Sequence, residues 1–200
     1  GEIHFAGALE NNEDTGTLQY LASTAMEAGF STRVLDMQAL DLQNGRFFDP
    51  AGELVNRCFK LYPWEWMVDE SPDGCLAEME WLEPIWKLVM SNKAILATLY
   101  ELFPDSPYVL PCYLSRPRSG LFCKKPVFSR EGHNVSVVDI RDWEEYVRIA
   151  ETEGDYNTGA YVYQEYVEPT AYSGRYPVIG SWIIGGEAAG IGIRENRMEV

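Results

Sequence analysis

The chain has 200 residues, 46% of them hydrophobic and 24% charged, with a formal net charge of −15. That composition supports one or two ordinary hydrophobic cores and excludes a disordered tail or a disulfide-stapled miniprotein. So acidic a balance disfavours general binding to nucleic acid or anionic membrane, where clustered Lys and Arg are needed; it suits a cationic small molecule or simply keeps the chain in solution.

No apolar run approaches the ~20 residues needed to cross a bilayer, and Gly1-Glu2-Ile3-His4-Phe5 is not a charged-then-apolar leader, so a soluble protein is expected. Cys58, Cys75, Cys112 and Cys123 are widely spaced, without C-x-x-C pairs and with only two histidines beside them. This predicts reduced thiols in a cytoplasmic protein rather than a zinc site or a disulfide framework. The chain begins without methionine and ends at Met198-Glu199-Val200 within a patterned segment, which reads as an excised piece of a longer protein.

In chain order, Glu2 to Gly7 predicts a strand, and Asn11-Asn12-Glu13-Asp14 a helix start, with caps and acidic groups at the positive end of the dipole. Leu18, Leu21, Ala22, Ala25 and Met26 form one apolar stripe, and Gly29 ends the helix. Thr32 to Met37 predicts a second strand, completing a βαβ-like unit with parallel strands in a layered α/β arrangement. Asn44-Gly45 marks a turn of the kind that closes a hairpin. The rings of Phe59, Tyr62, Trp64 and Trp66, in "FKLYPWEWM", predict core around a Pro63 that breaks any helix. The spacing of Ile85, Leu88, Val89, Asn92, Ile95, Leu96 and Leu99 predicts a helix over 82–102, stopped at Phe103-Pro104.

Proline-rich 104–120 is a loop joining two parts, 1–105 and 106–200. Beyond it, Leu121 to Phe128, Ser136 to Asp139 and Tyr161 to Val167 predict strands, and Asp142 to Ala150 a helix. "RYPVIGSWIIGGEAAGIGIRE" predicts a hairpin turning at Gly185-Gly186.

Three places can carry chemistry. In "KKPVFSREGHNV" a strand delivers Lys125, and the polar loop Ser129-Arg130-Glu131-Gly132-His133-Asn134 follows. Backbone N–H groups of such a loop can lie over phosphate oxygens while Lys and Arg neutralise charge. A hairpin loop that merely meets water is an equal alternative. In "YVYQEYVE", Gln164, Glu165, Tyr166 and Val167 can offer hydrogen bonds to an adenine edge, or can belong to a plain sheet strand. In "GIGIRE", Arg194 can hold a transferring phosphoryl group through its planar fork, or can be a surface arginine paired with Glu195.

Together "FKLYPWEWM", "WLEPIWKLVMSNKAILATLYELFP", "KKPVFSREGHNV", "YPVIGSWIIGGEAAGIGIRE" and the opening "EDTGTLQYL" resemble, in the same order and over nearly the whole chain, the synthetase module of the glutathionylspermidine synthases, relatives of trypanothione synthetase. The resemblance implies an ATP-grasp fold and ATP-dependent carboxylate–amine ligation. In it ATP phosphorylates the glycine carboxylate of a glutathione-like peptide, and a polyamine amine attacks the acyl phosphate. It implies ATP contacts for Lys93 and Lys125, a loop over the nucleotide from Ser129 through Arg130 and the hinge Gly132 to Asn134, and an adenine grip at Gln164, Glu165, Tyr166 and Val167. Arg194 matches the arginine beside the transferred phosphate and is the expected catalytic residue; His133 is loop decoration. The Arg-x-Asp and Glu-x-Asn elements that hold Mg²⁺ in the family have no counterpart here. The chain therefore reads as a later portion of the module, with no metal ligands of its own, no amidase, and weak nucleotide binding or none when alone. The rival readings are a nucleotide- or polyamine-binding protein that has lost the ligase step, and a ligase with a different acceptor.

Overall fold

The computed structural model describes residues 1–142, 145–156 and 159–197. The chain is a mixed α/β protein that divides into two compact units, Gly1–Ser91 and Asn92–Val200. That division falls ahead of the proline-rich loop at which 1–105 and 106–200 were separated from sequence.

In the first unit β1 (Glu2–Gly7) leads to α1 (Asn12–Glu27) and returns as β2 (Ser31–Asp36), pairing in parallel with β1. The Asn11 side chain accepts the N–H groups of Glu13 and Asp14, satisfying donors that the first helical turn leaves open. At the other end Gly29, at φ +89°, donates to Met26 O and turns the chain into β2. Three short strands follow, β3 (Asp41–Gln43), β4 (Arg46–Phe48) and β5 (Leu54–Val55), forming one antiparallel sheet. Asn44 and Gly45, both at positive φ, make the β3–β4 hairpin turn that their sequence predicts. Next come β6 (Arg57–Leu61), α2 (Trp64–Glu70), α3 (Pro72–Cys75), β7 (Glu80–Leu82) and α4 (Leu88–Ser91), with the main sheet in the order β2-β1-β6-β7.

Central strand β1 is buried on both faces, as a covered parallel strand requires. Ile3 and Phe5 meet Leu18 and Ala22 of α1. Ala6 lies on the opposite face with Leu35, Val55, Cys58, Trp64, Met67 and Trp81. The expected aromatic core is thus real for Trp64, whereas Trp66 is 40% exposed.

The second unit opens with α5 (Ala94–Leu102), followed by β8 (Cys112–Tyr113), β9 (Gly120–Pro126), β10 (Ser136–Ile140), β11 (Tyr146–Glu151) and β12 (Tyr161–Glu165). These strands form a sheet in the order β11-β10-β9-β12-β8. Its α5 side packs Ala97 against Cys112 and Val162; the reverse side packs Phe122, Val138 and Ile140. A separate two-stranded ribbon, β13 (Tyr176–Ile184) and β14 (Glu187–Asn196), turns at Gly185-Gly186 as expected.

Two expectations are corrected. The helix over 82–102 is broken: β7 reaches Leu82, a short 3-10 turn and α4 follow, and α5 starts only at Ala94. Lys93 sends its backbone N–H to Val127 O at 2.8 Å instead of back along the helix, and Asn92 Oδ1 accepts Ala94 N–H at 2.8 Å, starting a new helix. The second, a helix over Asp142–Ala150, is strand β11 over its described part, paired antiparallel with β10; Trp143 and Glu144 lie outside the described residues. Asp142 Oδ1 accepts Glu145 N–H at 2.8 Å, so its cap-like signal belongs to a turn, and β-branched Val147 and Ile149 take their usual place in a strand.

Candidate functional site

Successive strand side chains point to opposite faces, so adjacent Lys124 and Lys125 on β9 leave the sheet on opposite sides. Lys124 Nζ sits 4.0 Å from the centre of the Tyr161 ring. Lys125 Nζ instead donates to Gln164 Oε1 at 2.8 Å, across a register that pairs Lys125 with Val162 and Cys123 with Gln164.

On the Lys125 side lies a cavity of about 350 Å³. Lys93 reaches it from the start of α5, and its Nζ donates to Ser129 O at 2.6 Å and Ser129 Oγ at 2.9 Å. Ser129, Arg130, Glu131 and Gly132 border it, Tyr166 closes one wall, and Cys123, Val135 and Val137 supply an apolar base. Two lysines separated by 31 intervening positions in sequence therefore meet one loop. Burial pushes the Cys123 thiol up, against the opposing pull of Lys125, and Cys112 shifts the same way for the same reasons. Neither sulfur is set up as a thiolate nucleophile.

The loop holds its shape through its backbone. Glu131, Gly132 and Asn134 have φ of 53°, 74° and 54°, and His133 N–H closes a turn onto Arg130 O at 2.9 Å. Nothing would meet a Cβ at Gly132, so its glycine answers to conformation rather than space. Asn134 does not line the cavity. Its Nδ2 donates to Gly154 O at 2.9 Å and its Oδ1 accepts Tyr156 N–H at 2.7 Å, which ties down the end of the loop. Thr152 adds a second tie: Oγ1 donates to Gly132 O and accepts Val135 N–H. At Gly154 a Cβ would come within 2.5 Å of His133 Cβ, so the two segments approach as closely as they do only because a glycine stands there. Sequence reasoning missed Thr152 and Gly154, along with the cavity base. Its helical reading of the preceding residues hid the strand that brings them beside the loop.

Of the remaining expected residues, Gln164 touches Lys125, and Tyr166 lines the cavity with its N–H on Leu121 O at 3.0 Å. Glu165 turns outward, its N–H held by Pro111 O at 2.8 Å, and Val167 is exposed. Arg194 stands on β14 opposite Val178 and is not among the cavity's lining residues. The structure thus gathers Lys93, Lys125, Ser129, Arg130, Gly132, Gln164 and Tyr166, and leaves Arg194 on the ribbon.

The donor set suits a phosphate chain: two ammonium groups, a guanidinium and a loop of left-handed backbone around a cavity at the small end of the ligand-pocket range. It does not suit Mg²⁺. Among the described residues no group of three or more His, Cys, Asp or Glu is placed to hold a metal.

The chain is thus a mixed α/β protein whose second unit holds a cation-lined cavity beneath a glycine-containing hairpin loop. The chain belongs to the glutathionylspermidine synthase family: the model described as "Glutathionylspermidine synthase preATP-grasp" matches residues 1–200. It is 35% identical over 193 residues to a Haemophilus influenzae protein provisionally named an acid–amine ligase, covering 92% of this chain and 49% of that one. It is 27% identical over 226 residues to trypanothione synthetase of Crithidia fasciculata, covering 98% of this chain and 34% of the relative. Against the bifunctional glutathionylspermidine synthetase/amidase of Escherichia coli it is 27% identical over 214 residues, 91% of this chain and 34% of the relative. The chain thus spans half or less of the length of these relatives.

Proposed function

We propose that this chain is the nucleotide-gripping portion of an ATP-dependent carboxylate–amine ligase with an ATP-grasp fold. The observation that carries the proposal is the meeting of Lys93 and Lys125 in one cavity beneath the loop Ser129–Gly132. In this reading the two ammonium groups neutralise the phosphate chain of ATP and the loop covers it, with Asn134 fixing the loop's shape. Gln164 to Val167 border the adenine. Arg194 approaches the transferred phosphoryl group from the ribbon.

The reaction requires a peptide carboxylate to take the terminal phosphoryl group of ATP, releasing ADP and giving an acyl phosphate. The amine nitrogen of a polyamine then forms the amide bond as phosphate leaves, and the nitrogen loses a proton. Catalysis of this kind rests on placement and on fixed positive charge, and needs no nucleophilic side chain. The raised Cys123 thiol in the cavity base is consistent with that. Mg²⁺, which such chemistry uses, finds no ligand cluster among the described residues, so its ligands lie outside them in this reading. A charge of −15 favours a cationic acceptor such as a polyamine, and the free cysteines suit a reducing, cytoplasmic setting. No described helix is long and apolar enough to cross a membrane.

The test has two arms. The full-length gene product is titrated with ATP by calorimetry, and binding is expected to be lost in Lys125→Ala while the circular dichroism spectrum stays unchanged. The full-length gene product is assayed for ADP release with glutathione and spermidine, and with other peptide and polyamine pairs. ADP release that no pair stimulates refutes the ligase; ATP binding that survives both Lys93→Ala and Lys125→Ala refutes the site.

A further inference from the structure

The reverse face of the five-stranded sheet carries a second, smaller cavity of about 160 Å³. Val138 and Ile140 of β10 form its floor, Tyr146 of β11 and Tyr163 of β12 its walls, and Arg116 and Lys124 contribute its charge. The strand register explains the grouping. Lys124 pairs with Ser136 on one side and Tyr163 on the other, and it lines the cavity together with Val138 and Ile140.

Among the described residues both cations are held by rings and a backbone carbonyl rather than by carboxylates. The Arg116 guanidinium lies 4.9 Å over the Tyr146 ring and donates Nη2–H to Asp142 O at 2.8 Å, while its buried Nε meets no acceptor among the described residues. Lys124 rests over Tyr161. Neither makes an ion pair with a described carboxylate, in a chain with 31 acidic residues against 16 basic ones. Two cations that meet no described carboxylate, set beside an apolar floor, offer a place where an anion is favourable. The burial that raises the Tyr163 phenol, which Arg116 opposes, is consistent with a partly desolvated wall.

We propose that this cavity binds a small organic carboxylate, with the carboxylate on Arg116 and Lys124 and an apolar or aromatic body on Val138, Ile140 and the tyrosine rings. A guanidinium fork matches carboxylate geometry, and the floor has no polar atom to reward a second charged group. The space is too small for a nucleotide, whose cavity lies on the other face of β9. The site is therefore distinct from the one formed by Lys93 and Lys125, and does not depend on the ligase reading.

Benzoate is the probe, titrated into the isotopically labelled 200-residue chain and followed by NMR. Shifts are expected at Val138, Ile140, Tyr146 and Tyr163. Arg116→Gln and Lys124→Met are each expected to weaken binding about tenfold or more, the loss of one charge-assisted contact. The spread of resonances serves as the check that each variant is folded. Neutral benzamide and inorganic phosphate are expected to bind much more weakly. The proposal is overturned if benzoate moves none of these resonances, if both variants bind it like the parent, or if benzamide or phosphate binds as well as benzoate.

Discussion

Replacing Asn134 tests whether the loop's shape is imposed from below. The side chain holds two ties, Nδ2–H to Gly154 O at 2.9 Å and Tyr156 N–H to Oδ1 at 2.7 Å, and the residue sits at φ 54°. Asn134→Ala removes both hydrogen bonds, strands a part-buried N–H and C=O, and puts a Cβ without a local hydrogen bond into left-handed backbone. With about 1 kcal/mol for each bond and about 1 kcal/mol for the backbone strain, the sum is about 2–4 kcal/mol. Asn134→Gly loses the same bonds without the strain, and should fall short of Ala by about 1 kcal/mol. Asn134→Asp keeps the acceptor for Tyr156 and loses only the donor. Native-state hydrogen exchange reads this directly: the Tyr156 amide should exchange fast in the Ala and Gly variants and stay protected in the Asp variant, while the β9 and β10 amides report the loss of stability. An unchanged Tyr156 amide in Asn134→Ala, or an Ala variant as stable as the Gly variant, would refute the reasoning.

Gly7→Ala should destabilise the first unit by about 1–3 kcal/mol in urea unfolding, because its Cβ would stand 2.9 Å from Leu18 Cδ1 and 3.0 Å from the Leu61 carbonyl oxygen, and backbone cannot step aside. Asp49, accepting N–H groups from Glu53 and Ala51 and a guanidinium hydrogen from Arg33, is held below its ordinary value. Its contribution is therefore complete above about pH 3.9 and lost as the pH falls further, so thermal melts of Asp49→Asn should show a shallower acid limb than the parent. Buried Cys58 has its thiol pushed up to about 12, and should resist a disulfide reagent at pH 8 until urea exposes it; equal labelling rates for folded and unfolded chain would contradict its burial.

The sequence revealed most where one local signal decided the structure. The Asn11 cap, the Leu18, Leu21, Ala22 and Ala25 part of the α1 stripe, the Asn44-Gly45 turn and the Gly185-Gly186 turn each rest on residues within one element and stand where their pattern puts them, whereas Met26, at the end of the stripe, is 60% exposed. The two failures have a common cause. At Lys93 the backbone N–H is claimed by Val127, a residue 34 positions away, and no helical periodicity can announce that. At 142–150 the cap-like Asp142 reads the same before a helix as before a turn, and the pairing partner β10 settles the matter.

The site shows the same divide between local and distant information. The residues that carry charge were legible, because lysine, arginine and glycine around a turn are conspicuous in an acidic chain. The residues that hold the loop were not: Thr152 and Gly154 look like ordinary linker until β11 places them beside it. Lys124 and Lys125 make the point most sharply. In sequence they are one basic pair, yet the alternation of β9 assigns one to Gln164 and the larger cavity and the other to Tyr161 and the smaller one. A shift of a single residue in the pairing of β9 with β12 would exchange their roles, so the division of labour between the two faces is fixed by sheet register and not by the lysines themselves.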